Sequence, residues 1–559
     1  MHRMTRMPET AEVHAPFDGR EFRFKGDVAR FEQGSGARFM RLVSPGSVPR
    51  VYRVTKVIGG RYREDFAGIE VASADPAATP VGDPRRELLL PVSYVFQNAS
   101  FRLKGYSVMV GERPGLRAGG VWTETCIFCH NTVPYFDDLW GALHEPGAPG
   151  YQGEVVDRVL PRERRMRYVV TDPRALIQAV DDELGVLGRG TGVSPQSDVL
   201  VSGSSSDLDD DPRQALRRAM TISRARFGPE HFVEIGIGCE SCHGGSREHV
   251  DNPHIHPTFQ PRAAFLSVDA PPGANAPVSR AEWQNRACAR CHQVLFSRYA
   301  RTWEGGSRRL PESAGGSHIT SGEARDFLLG GCSRAMACTA CHDPHGEDRR
   351  DALARLATPA GNVVCTGCHP ALAAPAALQA HAHHDPKGAG GACVACHMPR
   401  KNMGLGYALT RYHRIGSPTD AARVEGDRPV ECALCHADKT VGAVLGDMAR
   451  LWGKHYDPAT MLRLYGSLDA NVLIATIERG YPHEQAAAMG AAGEQRFQPA
   501  ARAIANQVEA NTYPLVRYYA AAAAAAIAGQ PVPANPGADA NASHGAPGPG
   551  PVGHDDDED

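Results

Sequence analysis

Four Cys-x-x-Cys-His units crowd into residues 338–436. They read Cys338-Thr-Ala-Cys341-His342, Cys365-Thr-Gly-Cys368-His369, Cys393-Val-Ala-Cys396-His397 and Cys432-Ala-Leu-Cys435-His436. Three more stand upstream, at Cys126-Ile-Phe-Cys129-His130, Cys239-Glu-Ser-Cys242-His243 and Cys288-Ala-Arg-Cys291-His292. Two thiols three residues apart on a short helical turn can form thioethers to the two vinyl groups of one porphyrin. The adjacent histidine then reaches the iron as proximal ligand. A redox or zinc Cys-x-x-Cys pair that happens to precede a histidine is the competing reading of a single match. Composition alone, however, predicts about 0.02 such units in a chain of this length. Fourteen of the 15 cysteines lie inside the seven units. The sequence therefore implies seven covalently attached haem c groups, with His130, His243, His292, His342, His369, His397 and His436 on iron.

At 559 residues, with 42% hydrophobic and only 7% aromatic residues, the chain relies on porphyrins for part of its apolar bulk. The expected fold class is mixed and haem-dominated: a small N-terminal β region, a core rich in loops and short helices held by covalent and axial bonds, a C-terminal helical repeat-like segment and a disordered tail. A formal charge of −3 indicates no nucleic-acid or anionic-membrane partner. The longest apolar run, Tyr519 to Ala528, is too short to span a bilayer. Met1-His-Arg-Met-Thr-Arg-Met-Pro lacks the apolar segment of a signal peptide, yet c-type haem attachment requires export to the periplasm or another extracytoplasmic compartment. The expectation is a truncated start.

Residues 1–115 read as β-rich. Glu21-Phe-Arg-Phe-Lys and Val51-Tyr-Arg-Val-Thr-Lys-Val alternate polar and apolar, Gly59-Gly60 marks a turn, and Glu87–Phe96 and Phe101–Val110 add candidate strands. Residues 116–440 form the multihaem core. Within it, Asp172–Leu187 carries helical spacing, Gly188–Asp211 and Gly305–Gly322 read as loops, Pro257–Val278 as a linker, and Arg213–Arg226 as a basic helix. In residues 441–529, Tyr481-Pro482 and Tyr513-Pro514 each open a helix former-rich run, 32 residues apart, as stacked helix pairs do. Residues 530–559 are rich in Pro, Gly and Ala, end in Asp555-Asp-Asp-Glu-Asp559, and read as disordered.

A low-spin iron needs a second axial ligand, His for a lower potential or Met for a higher one. Inside the core stand His144, His231, His249, His254, His256, His318, His345, His381, His383, His384 and His413, with Met336, Met398 and Met403 as competitors. Cys332, the odd cysteine, is an unreactive thiol or has a haem-proximal or intermolecular role.

Cys338-Thr-Ala-Cys-His-Asp-Pro-His345, Cys239-Glu-Ser-Cys-His-Gly-Gly-Ser-Arg-Glu-His249 and Cys393-Val-Ala-Cys-His-Met-Pro resemble the multihaem c-type cytochromes related to the tetrahaem cytochrome of ammonia oxidisers. That group includes octahaem hydroxylamine oxidoreductase and pentahaem nitrite reductase. The resemblance covers roughly residues 15 to 455. It implies that His345 and His249 ligate neighbouring haems from the distal side. It gives the same role to His413 and to one of the His381, His383 and His384 group, His384 being the candidate, with His318 a weaker match. Relatives of this kind often end in TPR- or HEAT-like helices. They usually begin with a signal peptide and a further haem unit, so Met1–Pro8 resembles the piece after an eighth unit, with His2 as its distal ligand.

The leading expectation is electron transfer between extracytoplasmic donor and acceptor proteins through closely spaced, mostly bis-His haems. The alternative is a haem oxidoreductase acting on nitrite or hydroxylamine at one open haem. All seven units end in His, so the lysine that marks the catalytic haem of the nitrite reductases is absent; the haem of Cys126, with Tyr135 close by, is the best candidate for an open site. A third class, a scaffold with haems as structural staples, ranks last.

Overall fold

A computed structural model describes residues 5–9, 12–60, 63–96, 99–103, 115–122, 130–132, 167–172, 175, 234–243, 247–260, 265–269, 278–292, 323–346, 350–403 and 409–532. Several sequence expectations lie outside the described residues. They are all but Asp172 and Ala175 of the helix Asp172–Leu187, the helix Arg213–Arg226, the loops of Gly188–Asp211 and Gly305–Gly322, the second half of Phe101–Val110, and the tail beyond Val532. Cys126, Cys129, His144, His231 and His318 also lie outside them. The chain divides into two compact units, Met1–Glu21 with Ala29–Pro91 and Arg117–Leu295, and Phe22–Val28 with Val92–Leu116 and Phe296–Asp559.

The first unit is built on antiparallel strands. β1 (Thr5–Arg6) and β4 (Ala37–Val43) pair with one edge of β5 (Arg50–Gly59), β6 (Arg63–Val71) pairs with the other, and β7 (Leu88–Leu89) follows β6; β2 (Glu21–Phe24) and β3 (Asp27–Gly34) precede β4 in the chain. Alternation drives this arrangement, because successive side chains point to opposite faces. Phe17 packs edge-on against both Phe31 and Phe66, each at 5.5 Å, while Phe39, Val51, Ile69 and Val71 form a second buried cluster. The β5–β6 register slips between Val54 and Lys56. Gly68 faces that bulge with the Arg53 carbonyl against the place its Cβ would occupy, so only glycine fits. The turn after β5 uses Gly59 and Gly60, both at positive φ, as their sequence signals. Lys56 is buried, bonds Glu87 at 2.7 Å and lies 5.2 Å from the centre of the Trp122 ring. The strand edge continues into residues 119–122, where Gly119 and Trp122 donate to the Leu89 and Glu87 carbonyls at 2.9 and 2.8 Å. The approach to the first haem unit is thereby fixed to the sheet. A further pair, β10 (Arg167–Val170) with β11 (Leu266–Asp269), is antiparallel, and α1 (Arg280–Ala289), opened by a Ser279–Glu282 capping box, carries Cys288.

In the second unit, β8 (Val92–Val95) and β9 (Ser100–Leu103) form a hairpin, and β12 (Arg400–Met403) pairs with β13 (Leu409–Arg411). Between residues 323 and 436 the described chain runs mostly in short helices and 3₁₀ turns, among them α2 (Pro375–Ala382) and α3 (Cys393–His397). Beyond it come longer helices: α4 (Val441–Trp452), α5 (Pro458–Tyr465), α6 (Val472–Arg479), α7 (Pro482–Glu494), α8 (Ala501–Ala510) and α9 (Pro514–Ala528). α7 and α9 begin at Pro482 and Pro514, where the missing N–H does no harm and φ is preset for a helix. Small residues let them approach closely. A Cβ on Gly493 would come within 2.9 Å of Ala523 Cα, and one on Gly490 within 2.5 Å of a Leu409 methyl carbon. Gly493→Val is therefore expected to force α7 and α9 apart and to destabilise the unit by about 1–3 kcal/mol, read as a lower denaturation midpoint. Gly446→Ala, facing open space, is the control.

Candidate haem-binding site

Each described unit is a single helical turn. The histidine N–H donates to the carbonyl of the first cysteine at His243, His292, His342, His369 and His436, over 2.9–3.1 Å, and Cys393–His397 is a short helix in its own right. Residues i and i+3 of a turn share one face, so both thiols present together with the histidine beside them. That is the arrangement the spacing predicts.

The units are also joined to one another. In the first unit of the fold, Thr132, two residues after His130, exchanges backbone hydrogen bonds with Glu234, and its hydroxyl accepts from Gly238 N–H at 2.7 Å. Thr5 donates to the His130 carbonyl. Arg290, between Cys288 and Cys291, donates to the carbonyl of Ser241, between Cys239 and Cys242. The second and third motifs are thus joined through their own turns, and the segment after His130 is tied to the approach to the second.

The second unit holds the other four. Asn362 donates to the Gly391 carbonyl and accepts from the Cys393 amide, at 2.8 and 2.9 Å, which joins the turn before Cys365 to the start of α3. The thiols of Cys365 and Cys393 are hydrogen-bonded, which raises the first and lowers the second to about 7. Burial pushes Cys396 to about 11 and Cys432 to about 12. The last turn is seated on the C-terminal helices. Gln495 donates to the Leu434 carbonyl and accepts from Ala437 N–H, and Asn471 donates to the Ala437 carbonyl at 2.7 Å.

Three motif histidines face a second imidazole. His397 lies 6.0 Å from His381 between ring centres, with planes 6° apart; His342 lies 6.2 Å from His413, and His436 lies 5.9 Å from His384. An imidazole nitrogen sits about 2 Å from a metal ion, so two imidazoles on one iron have ring centres roughly 6 Å apart. Hydrogen bonding prepares the same atoms. Nδ1 meets a backbone carbonyl in His397 (Gly416, 2.8 Å), His384 (Ala382, 2.7 Å), His413 (Arg411, 3.0 Å) and His249 (Ile255, 2.9 Å). A carbonyl only accepts, so Nδ1 holds the proton and Nε2 keeps its lone pair for a metal. Burial also lowers the His397 pKa, favouring the neutral form. These residues fit a haem iron.

Two of the group His381, His383 and His384 face motif histidines, where the sequence suggested one. α2 ends at Ala382, and His383 takes a left-handed conformation, φ 55°. The chain therefore turns between His381 and His384, and each faces a different motif. His383 instead meets the Trp452 ring edge-on at 5.0 Å. Trp452 donates its indole N–H to the His381 carbonyl at 3.0 Å, holding this turn from α4. His345 follows an Asp343 turn and is exposed. His243 packs 4.6 Å from Phe259.

Residues 333–374, which span the Cys338 and Cys365 units, match a family model described as a doubled CXXCH motif. Covalent haem c binding follows. The motif is that of multihaem c-type cytochromes. No curated protein and no solved structure matches the chain.

Sequence reasoning missed a cluster of buried charge beside the last unit. It comprises Lys401 of β12, Arg423, Asp427, Arg428, Glu431 and Glu484 of α7. These residues are scattered over 84 positions and follow no periodic pattern that a sequence would show.

Proposed function

We propose that the protein carries electrons between extracytoplasmic redox partners through seven covalently attached haems, most with histidine on both axial positions. The carrying observation is the set of three facing histidine pairs at 5.9–6.2 Å. In this reading Cys338 and Cys341, Cys393 and Cys396, and Cys432 and Cys435 anchor haems whose irons lie between His342 and His413, His397 and His381, and His436 and His384. Haem supplies the one-electron chemistry, and axial ligands, burial and hydrogen bonds set its potential. The protein's own part is positional. α2 and the turn that follows it supply ligands toward two motifs, and the Asn362 bonds to Gly391 and Cys393 keep successive anchors adjacent, which favours electron passage from ring to ring. Among the described residues no helix is long and apolar enough to cross a membrane, and the proposed compartment rests on the chemistry of c-type attachment.

Visible and electron paramagnetic resonance spectra of the haem-loaded protein test this. The proposal expects uniformly low-spin bands unchanged by nitrite, hydroxylamine or cyanide. A high-spin fraction that binds those ligands would instead favour an oxidoreductase with one open haem.

A further inference from the structure

The charge cluster beside the seventh motif offers more than a structural role. Lys401 meets the Asp427 carboxylate, Arg423 meets Glu431 at 2.5 Å and Arg428 meets Glu484 at 2.8 Å, and none of the six side chains is more than 7% exposed. Three positive and three negative groups cancel. Asp427, His483 and Glu484 lie close enough for a metal ion, but Lys401 and Arg428 already supply their cations. Buried ion pairs are weak evidence for stability, since desolvation offsets their attraction. Retaining three of them next to a haem anchor points to electrostatic work.

Glu431 directly precedes the anchor residue Cys432 and lies close enough to Cys396 and Cys432 to act on both sulfurs. Its Oε1 accepts from Arg423, while no donor among the described residues reaches its buried Oε2. Burial raises its pKa, Asp427 adds to the rise, and Arg423 and Lys401 oppose it. Facing the cluster from the other elements are Glu484, His483 and Arg428, with the Tyr465 hydroxyl, which accepts from Val430 N–H at 3.0 Å.

We propose that Glu431 takes up a proton when the haem anchored at Cys432 and Cys435 is reduced, so that the protein couples electron transfer to proton transfer. This rests on the electron-carrier reading above. One electron from a reduced donor protein converts the iron from ferric to ferrous. One solvent proton adds to Glu431 Oε2, and the charge of the region is unchanged. An O–H bond forms on Glu431 and none in the protein breaks; the ion pair to Arg423 becomes a hydrogen bond from the still-charged guanidinium to a neutral carboxylic acid. The added electron raises the acid's pKa. Between the pKa of the oxidised and of the reduced state the midpoint potential therefore falls as pH rises, and outside that window it is flat.

Spectroelectrochemical titration of the haem-loaded full chain across pH tests the coupling. One haem component should shift by up to tenfold in its reduced-to-oxidised ratio per pH unit. Glu431→Gln should abolish that slope and Glu431→Asp retain it. The same slope in Glu431→Gln as in the wild type would overturn the proposal. Should Glu431→Gln fail to mature, the reduced-minus-oxidised infrared spectrum of the wild type decides: a protonated carboxylic carbonyl band that shifts in D2O supports the proposal, and no such band overturns it. A chain without haem would sink the carrier reading itself, whereas haems whose potentials ignore both pH and Glu431 sink only the proton coupling.

Discussion

Replacing His381 with alanine is expected to convert one haem from low spin to high spin. His381 is the second imidazole facing His397, so its loss leaves that iron with a single axial nitrogen. About one seventh of the haem absorbance should then acquire high-spin character and bind cyanide. His384→Ala should do the same to the haem of His436, because the turn at His383 sends the two side chains toward different motifs. The double substitution should open two haems, and His383→Ala none, since that ring packs on Trp452. His381→Met should keep low spin but raise one midpoint potential by on the order of 0.1 V, within the ~0.8 V that axial ligands span. Spectra and potentials of the five variants check this. Identical behaviour of the His381 and His383 variants would contradict the ligand assignment.

The second large effect is on stability. Lys401→Ala takes the Lys401 cation away from the Asp427 carboxylate, which is 3% exposed, and breaking a buried pair from one side costs about 3–5 kcal/mol. Lys401 also donates to the Pro429 carbonyl at 3.0 Å, which would lose that bond. A denaturation midpoint far below wild type is the expected result. The combined Lys401→Met and Asp427→Leu variant, which removes both charges and keeps apolar bulk, should recover most of the loss. A single variant as stable as wild type would mean that the pair is solvated.

The local chemistry of the units was legible because it is local. Cys-x-x-Cys-His is one turn of helix, and the bonds from histidine N–H to cysteine carbonyl are what that spacing dictates. The N-terminal strands were legible in the alternation of Glu21–Lys25 and Val51–Val57, and the starts of α7 and α9 in Pro482 and Pro514. Partner choice was not legible. His342 faces His413, 71 positions on, across intervening motifs, and nothing in the spacing of the two residues encodes that meeting. Choosing among His381, His383 and His384 depended on one left-handed residue at a helix end, a conformation that histidine rarely takes and that no glycine announced. The charge cluster stayed hidden for a related reason: Arg428 and Glu484 meet only because α7 folds back over the turn at Cys432.

Intact-mass measurement of the exported, matured protein tests the central claim most directly. The account predicts a mass above that of the polypeptide by seven porphyrins, one for each Cys-x-x-Cys-His unit, all retained after denaturation because thioether bonds hold them. The bare polypeptide mass, with no porphyrin attached, would contradict it.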